Sequence, residues 1–173
     1  MVIWLVGLSG AGKTTIGRAL YASLKQNRPQ TVFVDGDEIR TLFRHDQHAD
    51  AYSLAGRRVN AERIQALCAW LDSQGIDVVC CILSMFQDIS DDNRQRFSKY
   101  REVFVDVPLD TLIERDDKGL YQSALRGEQV NVVGMDIEYR PPAAPDLVLH
   151  NSQLPEDLPG YVAQILQISG YAS

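Results

Sequence analysis

Residues 6–15 read VGLSGAGKTT, and their types and spacing are those of a cradle for phosphate groups. Gly7, Leu8, Ser9, Gly10, Ala11, Gly12, Lys13 and Thr14 satisfy the pattern G-x-x-x-x-G-K-[ST] at every fixed position. Glycines let the backbone curl until successive N–H groups point inward at phosphate oxygens. A helix starting at the end of such a loop adds its positive N-terminal end. Lys13 is expected to reach the β- and γ-phosphates as a point charge, and the Thr14 hydroxyl to ligate Mg²⁺. Thr15 completes the residues expected to line ATP. A second chemical group lies in DGDEIR, residues 35–40. Two carboxylates there, Asp35 and Asp37, can position the metal and accept a proton from an attacking hydroxyl. Asp37 also precedes EIRTLF as a helix N-cap would, which leaves Asp35 for the metal.

These residues need elements to hold them, and the chain supplies alternating apolar runs and helical patterns. Strands are predicted at 2–6, 31–35, 76–84, 102–107 and 146–150. Helices are predicted at 13–26, 54–74, 87–99, from Pro108 onward and over 155–169. Continuous Val/Ile/Leu strands separated by helices imply an α/β fold: one parallel five-stranded sheet with helices on both faces. Strand one is expected at its centre. At 173 residues, one domain accounts for the whole chain. Residues 116–145 carry no clear strand and contain Gly119, Gly127 and Gly134 and a Pro141-Pro142 stop; so long a connection reads as a lid over the carboxyl edge of the sheet.

Composition removes other classes. A net charge of −6 argues against nucleic acid as a partner, while a local basic cluster is enough for a small anion. No run approaches the ~20 apolar residues of a membrane span, and the opening MVIWLVG is too short for a signal peptide. Cys68, Cys80 and Cys81 lack metal or redox spacing and read as core residues, which suits a cytoplasmic protein. His45 and His48, with Asp46 and Asp50 nearby, lack further ligands to complete a metal shell and read as solvated loop residues. The Asn-Lys-x-Asp motif of GTPases is missing, and strand three ends at Ser84 rather than at the metal-site Asp of motor ATPases. A short P-loop chain with a carboxylate pair and a lid points to a small-molecule kinase.

Together GLSGAGKTT, DGDEIR and VFVDVPLDTLIERDDKGLY (103–121) resemble adenylylsulfate kinases, in the family's order and over nearly the whole chain. The resemblance implies transfer of the γ-phosphate of Mg-ATP to the 3′-hydroxyl of a nucleotide-type acceptor, adenylylsulfate first of all. It implies acceptor contacts for Asp37 and Arg40, and for Arg57 and Asn60, which match the family's D-R-x-x-N with Gly56 in place of the Asp. Leu83 and Ser84, in ILSMF, match the serine-bearing F-I-S-P stretch. Ser84 joins Lys13, Asp35 and Asp37 in the catalytic set, although direct in-line transfer needs no phosphoserine. Arg115 and Lys118 would lie at the lid base, facing ATP and acceptor respectively. The resemblance also admits a homodimer.

The acceptor half departs from the family pattern. After Arg40 the chain reads TLFRHDQHADAYS, about three residues longer than the family's segment, with Tyr52 left to stack on a base. In the lid, GEQVNVVGMD puts Val130 in place of a Lys and Val132 in place of the stacking Phe. A different nucleotide-like anion, such as a modified cytidine diphosphate, is therefore the alternative acceptor. A nucleotide-binding module without transfer is the remaining alternative, and the presence of Lys13, Asp35 and Asp37 argues against it.

Overall fold

The computed structural model describes residues 1–83, 85–116, 119–152 and 157–171. Five parallel strands form one sheet: β1 (Val2–Val6), β2 (Val32–Asp35), β3 (Val78–Ile82), β4 (Tyr100–Asp106) and β5 (Leu147–His150), in the order β2-β3-β1-β4-β5. The expected sheet and its central first strand are both present. Strand ends differ from the sequence reading by up to two residues, because the ladder of hydrogen bonds, not the apolar run, decides where pairing stops.

Strands β1 to β4 split their side chains between two cores. Ile3, Leu5, Val79, Cys81, Val103 and Val105 pack with Ile16, Leu20 and Leu24 of α1 (Lys13–Asn27). Ile165 of α7 (Leu158–Ser169) closes the same side. Val2, Trp4, Val6, Cys80 and Ile82 face Ile64, Cys68 and Leu71 of α3 (Leu54–Ser73) and Ile89 of α4 (Gln87–Arg96). Alternation by two sends adjacent Cys80 and Cys81 to opposite faces, both buried, as the core reading requires. α1 lies hard against β3: a Cβ on Gly17 would sit 2.3 Å from the Cys81 sulfur.

Three short α-helices and a 3-10 turn at His45–Gln47 are also present among the described residues. α2 (Gly36–Leu42) follows β2 directly, α5 (Leu109–Arg115) is capped by Pro108, and α6 (Leu120–Leu125) opens the segment after it. The stretch read as a lid without a clear strand contains a short helix and a turn closed by a Val133–Ile137 bridge. The Asp136 carboxylate clasps that turn, accepting from the backbone N–H groups of Asn131 and Val132 at 2.6 Å each. Among the described residues no helix is long and apolar enough to cross a membrane.

Candidate active site

The loop between β1 and α1 is shaped by glycines that no other residue could replace. Gly12 sits at φ +95°, and a Cβ there would meet the Asn151 amide nitrogen at 2.5 Å. Gly7 comes equally close to the Val105 carbonyl oxygen. Two side chains from distant elements brace the loop. Asn151, just past β5, donates to the Ala11 carbonyl at 2.8 Å, and the buried Tyr121 hydroxyl donates to the Ser9 carbonyl at 2.9 Å. Ala11 and Leu8 anchor the loop in the core. The Lys13 ammonium donates to the Leu8 carbonyl at 2.7 Å, across the loop it belongs to.

At the end of β2 the helix cap falls on Asp35 and not on Asp37, where it was expected. Asp35, still extended at φ −114° and ψ 133°, is the N-cap of α2. One of its oxygens accepts from the Asp37 N–H at 3.0 Å and the other from the Thr14 hydroxyl at 2.8 Å. Asp37 is no cap: it sits inside the first turn with its carboxylate exposed, 3.4 Å from an Arg40 nitrogen. Chain geometry explains this, since a cap must be the last extended residue, and that residue is Asp35.

Beyond Asp37 lies a cationic wall. Arg40 is buried, and its guanidinium lies 4.6 Å from the centroid of the Tyr52 ring. Arg57 approaches the same ring at 5.7 Å and donates to the Tyr52 and Asn131 carbonyls at 2.8 Å each. Burial, and after it the charge of Arg40, lowers the Arg57 pKa from its ordinary value. Asn60, one helical turn along, donates to the Gly36 carbonyl at 3.1 Å. Arg40 Nε and Asn60 Oδ1 are buried with no hydrogen-bond partner among the described residues, a costly arrangement unless a ligand completes it.

A single cleft of about 610 Å³ unites these groups. It runs from Ser9, Lys13, Thr14 and Thr15, past Asp35 and Asp37, to Arg40, Tyr52, Arg57 and Asn60, with Leu83 on its floor. Leu120, Gln129, Asn131 and Val133 close it from the lid side. Ser84 and Lys118 lie outside the described residues.

Three expectations need correction. Val132 is a core residue, 2% exposed, and the cleft is lined by its neighbours Asn131 and Val133. The cause is the turn: Asn131 adopts φ +63°, which rotates the chain so that Val132 points inward. Arg115 donates to the Asn151 and Ser152 carbonyls and so holds the segment after β5 rather than lining the cleft. His45 is buried, not solvated, with its Nε2 on the Gly56 carbonyl at 3.0 Å. The sequence reading assigned no role to Asn151, Tyr121, Gln129 or Asn131. Position offered a signal for Asn151, which follows a strand at the carboxyl edge where ligands gather.

A family model for adenylylsulphate kinase matches residues 1–150. The cytidine diphosphoramidate kinase of Campylobacter jejuni is 44% identical over 87% of this chain and 86% of its own. The adenylyl-sulfate kinase of Myxococcus xanthus is 36% identical over 87% of this chain and 81% of its own. Among solved structures, the Mycobacterium tuberculosis APS kinase in complex with AMPPNP and APS superimposes with a TM-score of 0.84 at 27% identity, covering 98% of this chain and 96% of that one. A match of this extent to one family, spanning both the phosphate cradle and the cationic wall, places the chain in the adenylylsulphate kinase family.

Proposed function

We propose that the chain transfers the γ-phosphoryl group of ATP to a sugar hydroxyl of an anionic nucleotide. The observation that carries this reading is the buried, incompletely hydrogen-bonded Arg40, stacked on Tyr52 beside Arg57 and facing the phosphate cradle across Asp37. Two guanidinium groups suit a diphosphate-like anion, and Tyr52 offers a face to a base.

Mg²⁺ fits the donor set. The Thr14 hydroxyl and the Asp35 carboxylate are paired hard oxygens at the cradle, and no cluster of three His, Cys, Asp or Glu occurs among the described residues. Such a site suits an ion that takes its other ligands from phosphate and water. When bound, Mg²⁺ would neutralise charge on the transferring phosphate oxygens.

In the reaction, the acceptor hydroxyl oxygen attacks the γ-phosphorus, the bond to the β–γ bridging oxygen breaks, and ADP leaves. Asp37 receives the hydroxyl proton, its exposed carboxylate facing the cleft. Lys13 moves from the Leu8 carbonyl onto the phosphates, where its charge stabilises the departing oxygens. Residues 116–145 serve as the lid, contributing Gln129, Asn131 and Val133.

For the acceptor, the cytidine diphosphoramidate type is the reading we favour. Tyr52 is the single aromatic residue among the described residues lining the cleft, which suits a pyrimidine better than a purine held between two rings. The Campylobacter jejuni relative, 44% identical, carries that activity in its name. Adenylylsulfate is the second reading, favoured by the family match. ADP release from Mg-ATP, measured with cytidine diphosphate derivatives, adenylylsulfate and no acceptor, separates them. Stimulation by a cytidine diphosphate derivative alone supports the first, stimulation by adenylylsulfate alone supports the second, and no stimulation by either overturns transfer to this class.

A further inference from the structure

Two departures from the family pattern meet at one point in space. The segment after Arg40 is longer than expected, and Gly56 stands where the pattern has an aspartate. In the structure this segment folds back onto the first turn of α3, with Asp50 and Ala51 over Gly56. An ideal Cβ on Gly56 would lie 2.1 Å from the Asp50 carbonyl oxygen and 2.9 Å from Ala51. No side chain fits there, so the longer segment and the glycine require each other. Glycine inside a helix is destabilising relative to alanine, and here close approach is what it provides.

A second contact fixes the same junction. His45, 6% exposed, lies 3.0 Å through Nε2 from the Gly56 carbonyl. A carbonyl only accepts, so Nε2 carries the hydrogen. Between these two anchors the chain runs through Asp50 and Ala51 to Tyr52. The Tyr52 carbonyl is taken by Arg57 Nε, and its ring lies against Arg40 and Arg57. Ser53 then caps α3 through its hydroxyl, which accepts from the Gly56 N–H at 3.1 Å.

We propose that His45 and Gly56 form a latch that positions Tyr52, making His45 a positioning residue for acceptor specificity. His45 does not line the cleft; it acts on the acceptor through the placement of the Tyr52 ring. This rests on the reading of the Tyr52 wall as the acceptor side.

The test is calorimetric binding of cytidine diphosphate, adenylylsulfate and the ATP analogue AMPPNP to wild type, His45→Ala, His45→Gln and Tyr52→Leu, and to His45→Ala combined with Tyr52→Leu. The latch predicts that His45→Ala raises the Kd of whichever acceptor probe binds wild type by about tenfold, and that of AMPPNP by less than about twofold. His45→Gln, which keeps an N–H donor, recovers most of the loss. In the Tyr52→Leu background, His45→Ala adds less than about twofold, because the two residues act as one unit. Amide exchange of residues 46–53 speeds in His45→Ala while that of β1 does not.

An unchanged acceptor Kd in His45→Ala, an equal loss of AMPPNP, or full additivity with Tyr52→Leu overturns the latch. Binding is read without turnover, so the two readings fail separately. Wild type that binds cytidine diphosphate or adenylylsulfate but releases no ADP overturns the kinase reading and leaves the latch to the Kd values. Wild type that binds neither overturns both.

Discussion

Lys13 and Asp37 face the same cleft with opposite charges, and single substitutions separate their tasks. Lys13→Ala is expected to cut kcat/KM for ADP release by a factor on the order of 10³, since phosphoryl transfer relies on electrostatic placement; near-normal turnover would refute the cradle. Asp37→Asn should lower kcat by a factor on the order of 10² while the ATP KM moves little. That split is sharper than the sequence permits. Read from the chain alone, Asp37 doubled as a helix cap, and a loss of stability would have blurred the result. Here Asp35 is the cap, so losing the Asp37 charge leaves α2 its hydrogen-bonded start. The identities of the cradle residues were legible because the motif is local: a fixed spacing of glycines, Lys and Thr specifies its own geometry. The roles of Asp35 and Asp37 were not, since they depend on which residue is last to be extended. Val132 failed for the same kind of reason, because one left-handed Asn131 decides which of three adjacent side chains looks into the cleft.

At the scale of elements, the cradle depends on segments that do not touch phosphate. Asn151→Ala removes the bond to the Ala11 carbonyl and should cost about 1–2 kcal/mol of loop order, read as a five- to thirtyfold rise in the ATP KM with the acceptor KM little changed. Unchanged ATP affinity would mean that Gly12 packing alone sets the loop. Asp136→Ala unclasps the turn at Asn131 and Val132 and is expected to raise the acceptor KM more than the ATP KM, because Asn131 also receives Arg57; equal effects would mean that the turn serves both substrates. Strands and long helices were legible from their apolar periods. α6 was not: six residues give too little periodicity, and its helical state is set by docking Tyr121 beneath the loop. The fold of the segment after Arg40 was hidden too, since nothing local to His45 says that it will be buried against a helix eleven residues on.

For the whole molecule, two carboxylates at the amino end of the sheet, far along the strands from the cleft, are expected to contribute stability that acid removes. Burial pushes the Asp72 carboxyl up, but the Ser98 backbone N–H, the Met1 ammonium and the Ser98 hydroxyl outweigh it, and the net shift is downward. Asp77 behaves alike: burial raises it, while Arg28, the Tyr171 hydroxyl and the Met1 ammonium bring it below its ordinary value. A carboxyl depressed in the folded state stabilises fully above its unfolded pKa of about 3.9, and that contribution is lost as pH falls through the folded value. The melting temperature should therefore hold from pH 7 to about 5 and fall below about 4. Asp77→Asn should melt lower at pH 7 and lose less on acidification; a parallel curve would place the acid sensitivity elsewhere. At the opposite edge, the bond from Thr14 to Asp35 has a consequence for the molecule as a thermodynamic system. One carboxylate joins the first turn of α1 to the start of α2, so ligation at the cradle is expected to be felt on the acceptor side. Reciprocity then applies: if saturating Mg-AMPPNP tightens the acceptor by some factor, the acceptor tightens Mg-AMPPNP by the same factor. Titrating each ligand with and without the other should give two matching factors above one, and factors of one would mean that donor and acceptor bind as independent guests.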